Sequence, residues 1–167
     1  MAFSRIKASI EQAVENSIRT GVTRIAEDAK KNSSWSADIP DAIYVGDVKK
    51  ESSGVWSGEI IVDLKKAPQA AAFEYGSGIH GEEGEEYIIK PDTASALAFP
   101  KSKWPGYNPP PKAPEVFVFP FVMHPGVAAK PYLRPAIEKN RKAIRTLILN
   151  GFIKGYKDGI DVKVIIK

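Results

Sequence analysis

The chain has 167 residues, 43% hydrophobic and 26% charged, a composition typical of a globular protein large enough to bury its own core. It contains no cysteine, which excludes disulfides, thiol chemistry and four-cysteine zinc sites. The net charge of +4 conceals an asymmetry, because residues 1–100 carry 11 Lys/Arg against 16 Asp/Glu and residues 101–167 carry 13 against 4. Such polarity suits subunits that associate head-to-tail or a basic surface that faces a polyanion, although simple solvation of one helix explains it equally well.

The first half of the chain predicts a long helix followed by a hairpin. Apolar residues recur at steps of three and four from Phe3 to Ala29, which indicates a helix with one apolar stripe. Strand patterns follow at residues 42–48 and 55–64, and the turn residues between them predict an antiparallel pair. One face of the second strand is predicted to carry Trp56, Ile60, Val62 and Leu64. A short alanine-rich helix is expected over residues 69–75.

The second half predicts short strands and a second long helix. Strands are expected at 87–91, 97–99 and 115–122, with Pro120 limiting the last of these to an edge or bulged position. The strands at 97–99 and 116–119 are expected to pair across a proline-rich loop at 100–114. A helix is predicted from Tyr132 to about Asn150, with Gly151 as its stop, and a final strand over 160–166.

These elements predict an α+β fold. We expect a single, mostly antiparallel sheet with the two long helices packed on one face, plus the short central helix. The pattern indicates one domain over residues 1–167, with projecting loops at 76–86 and 100–114. No apolar run approaches the ~18 residues of a membrane span, so no membrane partner is expected, and the absence of a signal-peptide pattern favours folding in the cytoplasm.

The residues 76–81 spell G-x-G-x-x-G, the pattern of a dinucleotide-binding loop. That loop needs a strand before it and a helix after it, whereas here a short helix precedes it and four glutamates follow. Ser77 lacks the context of a nucleophile elbow, and His80 and His124 lack the spacing of a zinc site. We therefore predict no catalytic site, no metal and no cofactor.

A basic helix face is the remaining candidate for a binding surface. Four cations follow one another along the second long helix and could contact phosphates without reading sequence: Lys139, Arg141, Lys142 and Arg145. No aromatic residues are interleaved with them, and no recognition motif accompanies them. The face is therefore a candidate DNA-facing surface of low specificity.

Two separated motifs carry a family resemblance. The first is Ala72-Phe73-Glu74-Tyr75-Gly76-Ser77, and the second joins His124-Pro125-Gly126 to Lys130-Pro131-Tyr132-Leu133-Arg134-Pro135-Ala136. In this order, over roughly residues 5–150, they resemble the minor tail components of long-tailed double-stranded DNA phages and prophages, also called tail-completion or head–tail joining proteins. The chain departs from that pattern in its proline-rich insert at 100–114, in having Lys130 where arginine is commoner, and in lacking a Pro-x-Asp-Thr-Gly segment before the first strand.

The resemblance implies a structural role in the virion neck and no enzymatic activity. Copies would form a homo-oligomeric ring around the DNA channel, between a head connector or stopper protein and a tail terminator or tail-tube protein. The residues expected at the structural joint or subunit interface are Phe73, Glu74, Tyr75, Gly76, Lys130, Pro131, Tyr132, Leu133, Arg134 and Pro135. The expected assembly-loop residues are Glu82, Glu83, Glu85, Glu86, Trp104 and Tyr107.

Glu74 is the charged residue of the first motif. We hypothesise that its carboxylate pairs with Lys130 or Arg134, and the alternative is that it is simply exposed, since surface pairs contribute only about 0–1 kcal/mol.

Two other functions compete with the neck ring. One is a non-specific DNA-binding accessory protein, and the other is a different minor-tail or tail-terminator-like morphogenesis protein.

Overall fold

The structure is a computed structural model that describes residues 2–52, 54–103 and 115–159. The chain divides into two compact units. The first unit combines Met1–Glu74 with Pro131–Lys167, and the second is Tyr75–Lys130. The α+β class predicted from the sequence is confirmed.

The first unit contains both long helices. In chain order its elements are α1 (Ala2–Asn32), α2 (Ile39–Ala42), β1 (Ile43–Ser52), β2 (Val55–Val62), α3 (Ala70–Tyr75, whose last residue belongs to the second unit) and α4 (Leu133–Asp158). The predicted N-terminal helix, hairpin strands and short central helix are all present. The core lies where α1, α2, β1 and the start of α4 meet, and its fully buried members include Ile39, Ile43, Tyr132 and Ala136.

The β1–β2 hairpin packs against α1. The two strands are antiparallel, with Ile43 opposite Val62 and Ser52 opposite Val55. Gly58 of β2 faces α1 so closely that an added Cβ would lie 2.8 Å from side-chain atoms of Ile18 and Val22. The prediction for Leu64 was wrong, because β2 ends before it and its side chain is exposed.

The predicted end of the last helix at Gly151 was wrong, since α4 continues to Asp158. The reason is that the glycines of this segment face α1 and allow the two backbones to approach. A Cβ at Gly155 would lie 2.6 Å from Ile10 Cα and 2.7 Å from the Ser9 carbonyl oxygen. A Cβ at Gly159 would lie 2.6 Å from Ile6 Cα. These glycines therefore serve helix–helix packing, and the helix continues past the first two of them.

The second unit is built from four short strands. They are β3 (Tyr87–Ile89), β4 (Leu97–Pro100), β5 (Val116–Phe119) and β6 (Val122–His124). The predicted pairing of β4 with β5 is confirmed, with Leu97 opposite Phe119. Stacked rings of Phe99, Phe117 and Phe119, with centroids 5.9–6.2 Å apart, cover one face of that pair.

The prediction of a single sheet was wrong, because the described strands form three separate two-stranded antiparallel sheets: β1–β2, β3–β6 and β4–β5. Pro120 supplies the physical reason within the second unit. It lies between β5 and β6 and has no N–H to donate, so the strand ends there. As a result, β5 and β6 pair with different strands. The predicted strand at 160–166, and the loop residues Trp104 and Tyr107, lie outside the described residues.

Candidate functional site

The short helix α3 places Glu74 in the interior of the first unit. Ala70 at its start is fully buried, and the ring of Phe73 makes an edge-on contact with Trp35 at a centroid distance of 4.8 Å. Alanine favours the helix at no side-chain entropy loss, and the aromatic contact fixes its rotation. As a result Glu74 is only 3% exposed, and the alternative of an exposed carboxylate was wrong.

The Glu74 carboxylate accepts hydrogen bonds from the first backbone N–H groups of α4. Its Oε2 accepts from Tyr132 N at 2.8 Å and Leu133 N at 2.9 Å, and its Oε1 accepts from Arg134 N at 3.0 Å. The N–H groups of a first helical turn have no partner within the helix, and the helix dipole favours a negative charge there. Glu74 therefore caps α4 from a distant part of the chain, and we call these four residues the Glu74 site.

Arg134 completes the site from the side. Its Nε donates to Glu74 Oε1 at 3.0 Å, and its guanidinium also donates to the Glu74 carbonyl oxygen. Of the two cations hypothesised to pair with Glu74, Arg134 therefore makes the ion pair that the structure describes. The site also uses its prolines, since Pro135 in the first turn of α4 has no N–H that would need a partner.

The Glu74 site lies where the chain leaves and re-enters the first unit. The unit ends at Glu74 and resumes at Pro131, so the hydrogen bonds from Glu74 to residues 132–134 join the two ends of the intervening segment. Closing a long segment costs entropy that grows only slowly with its length, so a few strong hydrogen bonds can offset it. Within the first unit, the hypothesised pairing of Glu74 with Arg134 is therefore confirmed, whereas the role of these residues in a subunit interface stays a prediction.

The electrostatics of the site favour the ionised carboxylate. Burial of Glu74 is the largest single influence and raises the pKa, but the hydrogen bonds from Leu133, Tyr132 and Arg134 together outweigh it and lower the pKa below its usual value. The charge of Glu74 is thus maintained by the α4 N-terminus and the guanidinium.

We expect the stabilisation by Glu74 to disappear in acid. Because the folded-state pKa is depressed, its contribution is fully present above the unfolded value of about 4.3 and is lost as the pH falls through the folded pKa. The measurement is the free energy of unfolding of wild type and Glu74→Gln between pH 7 and pH 3. The gap between the two proteins should narrow below about pH 5. A gap that stays constant down to pH 3 would contradict this electrostatic role.

The glycine motif has a backbone role in the second unit. Gly76, Gly78 and Gly126 have φ values of 82°, 61° and 93°, which favour glycine. Ser77 N donates to the Val127 carbonyl at 3.0 Å, and Val127 N donates to Ser77 Oγ at 3.0 Å. Ile79 N donates to the Pro125 carbonyl at 2.8 Å. The G-x-G-x-x-G residues therefore allow a close approach to residues 125–127, which include Pro125 and Gly126 at the start of the second motif.

The remaining predicted residues lie in three places. Glu82, Glu83, Glu85 and Glu86 are exposed in the second unit, whereas His124 Nδ1 accepts a hydrogen bond from Gly126 N at 2.9 Å. On α4, Lys139 pairs with Asp28 at 3.1 Å and Arg141 with Glu138 at 3.6 Å, which partly neutralises the predicted basic face. Lys142 and Arg145 are exposed on that helix.

Among the described residues, no three His, Asp or Glu side chains converge as metal ligands would. Within the same ranges, no helix combines the length and apolar character of a membrane span.

An open apolar groove in the first unit was missed by the sequence reasoning. It measures about 880 Å³ and lies between the N-terminal half of α1, the hairpin and the C-terminal half of α4. Its apolar lining consists of Phe3, Ile6, Ile10, Val14, Ile18, Trp56, Ile148, Leu149 and Phe152. A helix predicted to continue beyond Gly151 would have placed Phe152 beside Ile148 and Leu149 on one apolar face. That face was the sequence signal for the groove.

Comparison of the chain with protein-family models, curated proteins and solved structures yields no match.

Proposed function

We propose that this chain is a structural protein of a phage neck, a ring-forming tail-completion component that joins the head connector to the tail tube. The observation that carries the proposal is the Glu74 site. Three residues of the second motif donate hydrogen bonds to the glutamate of the first, although they lie 58–60 positions from it in the chain. Because the two motifs contact each other, they form one structural feature, and two unrelated chance matches would not be expected to do so.

The charge distribution and the exposed surfaces support the same proposal. The second unit carries four exposed glutamates in a row, and the first unit carries exposed Lys142 and Arg145 on α4. Patches of opposite sign on different surfaces favour head-to-tail association, which closes into a ring when the rotation between copies permits it. The partners on this proposal are further copies of the chain, a head connector or stopper protein, and a tail terminator or tail-tube protein. The place of action is the virion neck, after folding in the host cytoplasm.

The test is the mass of the purified protein by light scattering over a range of concentrations, alone and with a connector or tail-tube protein of the same phage. We expect a closed oligomer, formed either by the chain alone or in complex with the neck protein. A protein that stays at the monomer mass of 18.3 kDa and binds neither partner would contradict the proposal.

A second candidate is a non-specific DNA-binding accessory protein, and the exposed cations of α4 favour it. This alternative predicts binding to plain duplex DNA whose affinity falls steeply with salt. With Lys139 and Arg141 engaged by carboxylates, few cations remain for phosphate, so we expect a shallow salt dependence and weak binding. Submicromolar binding to plain duplex at physiological salt would favour this candidate over the neck ring. A different minor-tail or tail-terminator-like role would appear as binding to a tail protein without ring formation.

A further inference from the structure

We propose that the apolar groove of the first unit receives the acidic segment, residues 79–89, of a second copy of this chain. The inference rests on the proposed function, because it identifies the surfaces through which the copies of a ring would meet. It is carried by the apolar character of the groove, the charge at its rim and the composition of the segment.

The groove leaves large apolar side chains open to water. Phe3 is 88% exposed, Leu149 59% and Phe152 49%, and all three line one continuous groove. Large contiguous apolar patches with polar rims mark protein interaction sites. Covering these side chains removes their apolar surface from water, which can drive association.

The rim of the groove is basic. Its charged residues are Lys7, Glu11, Lys50 and Arg145. Glu11 accepts a hydrogen bond from Lys50 Nζ, so among the described residues the one carboxylate of this rim is already engaged by one of the three cations. The exposed side chains of Lys7 and Arg145 leave a positive rim around an apolar floor. Such a groove favours an occupant that combines acidic and apolar residues.

The acidic segment has that composition. Glu82, Glu83, Glu85 and Glu86 are all exposed, and they are flanked by Ile79 at 48% exposure and Ile88 at 51%. Apolar residues therefore lie on both sides of a run of four carboxylates. The flanking apolar side chains match the floor of the groove, and the carboxylates match its rim.

The arrangement favours a head-to-tail contact over a symmetric one. Two grooves facing each other would bring Lys7 and Arg145 of both copies together, and two acidic segments would repel each other in the same way. A groove on one copy with a segment from the next satisfies both surfaces. A repeated contact of this type generates a ring when it closes.

The experiment is a charge reversal on each side of the contact. The groove variant carries Lys7→Glu and Arg145→Glu, and the segment variant carries Glu82→Lys and Glu85→Lys. Each variant alone should raise the dissociation constant of self-association at least about tenfold, because like charges then face each other. The fourfold variant that combines both reversals should return to within about threefold of wild type. Association is measured by light scattering against concentration.

The matched control keeps the charges of the rescue variant but moves two of them away from the groove. It combines Glu82→Lys and Glu85→Lys with Lys65→Glu and Lys66→Glu, which lie in an exposed turn after β2. This control should not restore association. Restoration by the control, or failure of the fourfold variant to recover, would overturn the proposal. Circular dichroism of every variant verifies that the fold is retained.

The outcomes separate this inference from the proposed function. If wild type forms an oligomer that all reversals leave unchanged, the docking proposal is overturned and the neck ring stands. If wild type is monomeric alone and binds a connector or tail protein without forming an oligomer, docking between copies is overturned and the alternative minor-tail role is favoured. If it does neither, the proposed function fails as well.

Discussion

Replacing Glu74 with glutamine should lower the free energy of unfolding by about 2–4 kcal/mol, the largest effect expected of any conservative substitution here. The carboxylate is 3% exposed and accepts three backbone N–H groups and the Arg134 guanidinium. Glutamine has the same shape but one acceptor oxygen instead of two, and its NH₂ group would point at an N–H donor. At least one donor at the start of α4 would then lose its partner beside a side chain that is almost completely buried.

The measurement is chemical denaturation at pH 7, with Glu138→Gln as the matched control. Glu138 lies on the same helix, is 65% exposed at its side chain and makes only a long ion pair with Arg141, so its replacement should change the stability by less than about 0.5 kcal/mol. A loss below 0.5 kcal/mol for Glu74→Gln would contradict the capping role assigned to the carboxylate.

A charge exchange at the same site distinguishes capping from simple ion pairing. If Glu74 acted only through Arg134, the double variant Glu74→Lys with Arg134→Glu would recover part of the stability lost by each single change. The N–H groups of Tyr132, Leu133 and Arg134 need an acceptor, however, and an ammonium group cannot be one. We therefore expect the double variant to be no more stable than the single Glu74→Lys variant. Substantial recovery would mean that the ion pair, and not the helix cap, accounts for the site.

The local elements of the fold could be predicted because each has a local cause. Steps of three and four in α1, turn residues before β2 and prolines at the entry to α4 act over a few residues and are visible in the chain. The importance of Glu74 could also be anticipated, because a lone carboxylate between two aromatics suggested a basic partner. Its actual partners could not, since backbone N–H groups exist at every residue and only the fold selects those of residues 132–134.

The features that could not be predicted depend on what lies across the space between elements. The pattern of apolar residues cannot tell whether short strands share one sheet. Here β3 pairs with β6 and β4 with β5, because Pro120 separates β5 from β6. The apolar groove depends on α1 and α4 meeting along their lengths, which the sequence does not encode locally. In the sequence, Gly151 is equally compatible with the end of a helix and with close packing of two helices. Only the position of the neighbouring backbone decides between these two roles.

That ambiguity leads to the second large effect, an expected loss of about 2 kcal/mol when Gly155 is replaced by alanine. In an exposed helix the same change stabilises by about 1 kcal/mol, because alanine is the better helix former. At Gly155 the new Cβ would lie 2.6 Å from Ile10 Cα and 2.7 Å from the Ser9 carbonyl oxygen, distances that the backbone of α1 cannot relieve by a side-chain rotation. The two helices would have to move apart along this contact.

Gly21→Ala provides the matched comparison on the opposite helix. There the three atoms nearest to the added Cβ all belong to the side chain of Ile144, the closest at 3.0 Å, and a shift of that side chain by a few tenths of an ångström would relieve the contact. Both variants are measured by thermal and chemical denaturation, and we expect Gly21→Ala to lie within about 1 kcal/mol of wild type while Gly155→Ala is clearly destabilised. Equal effects at the two positions would mean that helix propensity, and not the approach of two backbones, accounts for the glycines of α4. A stabilised Gly155→Ala would show that α1 and α4 tolerate a wider spacing than their glycines indicate.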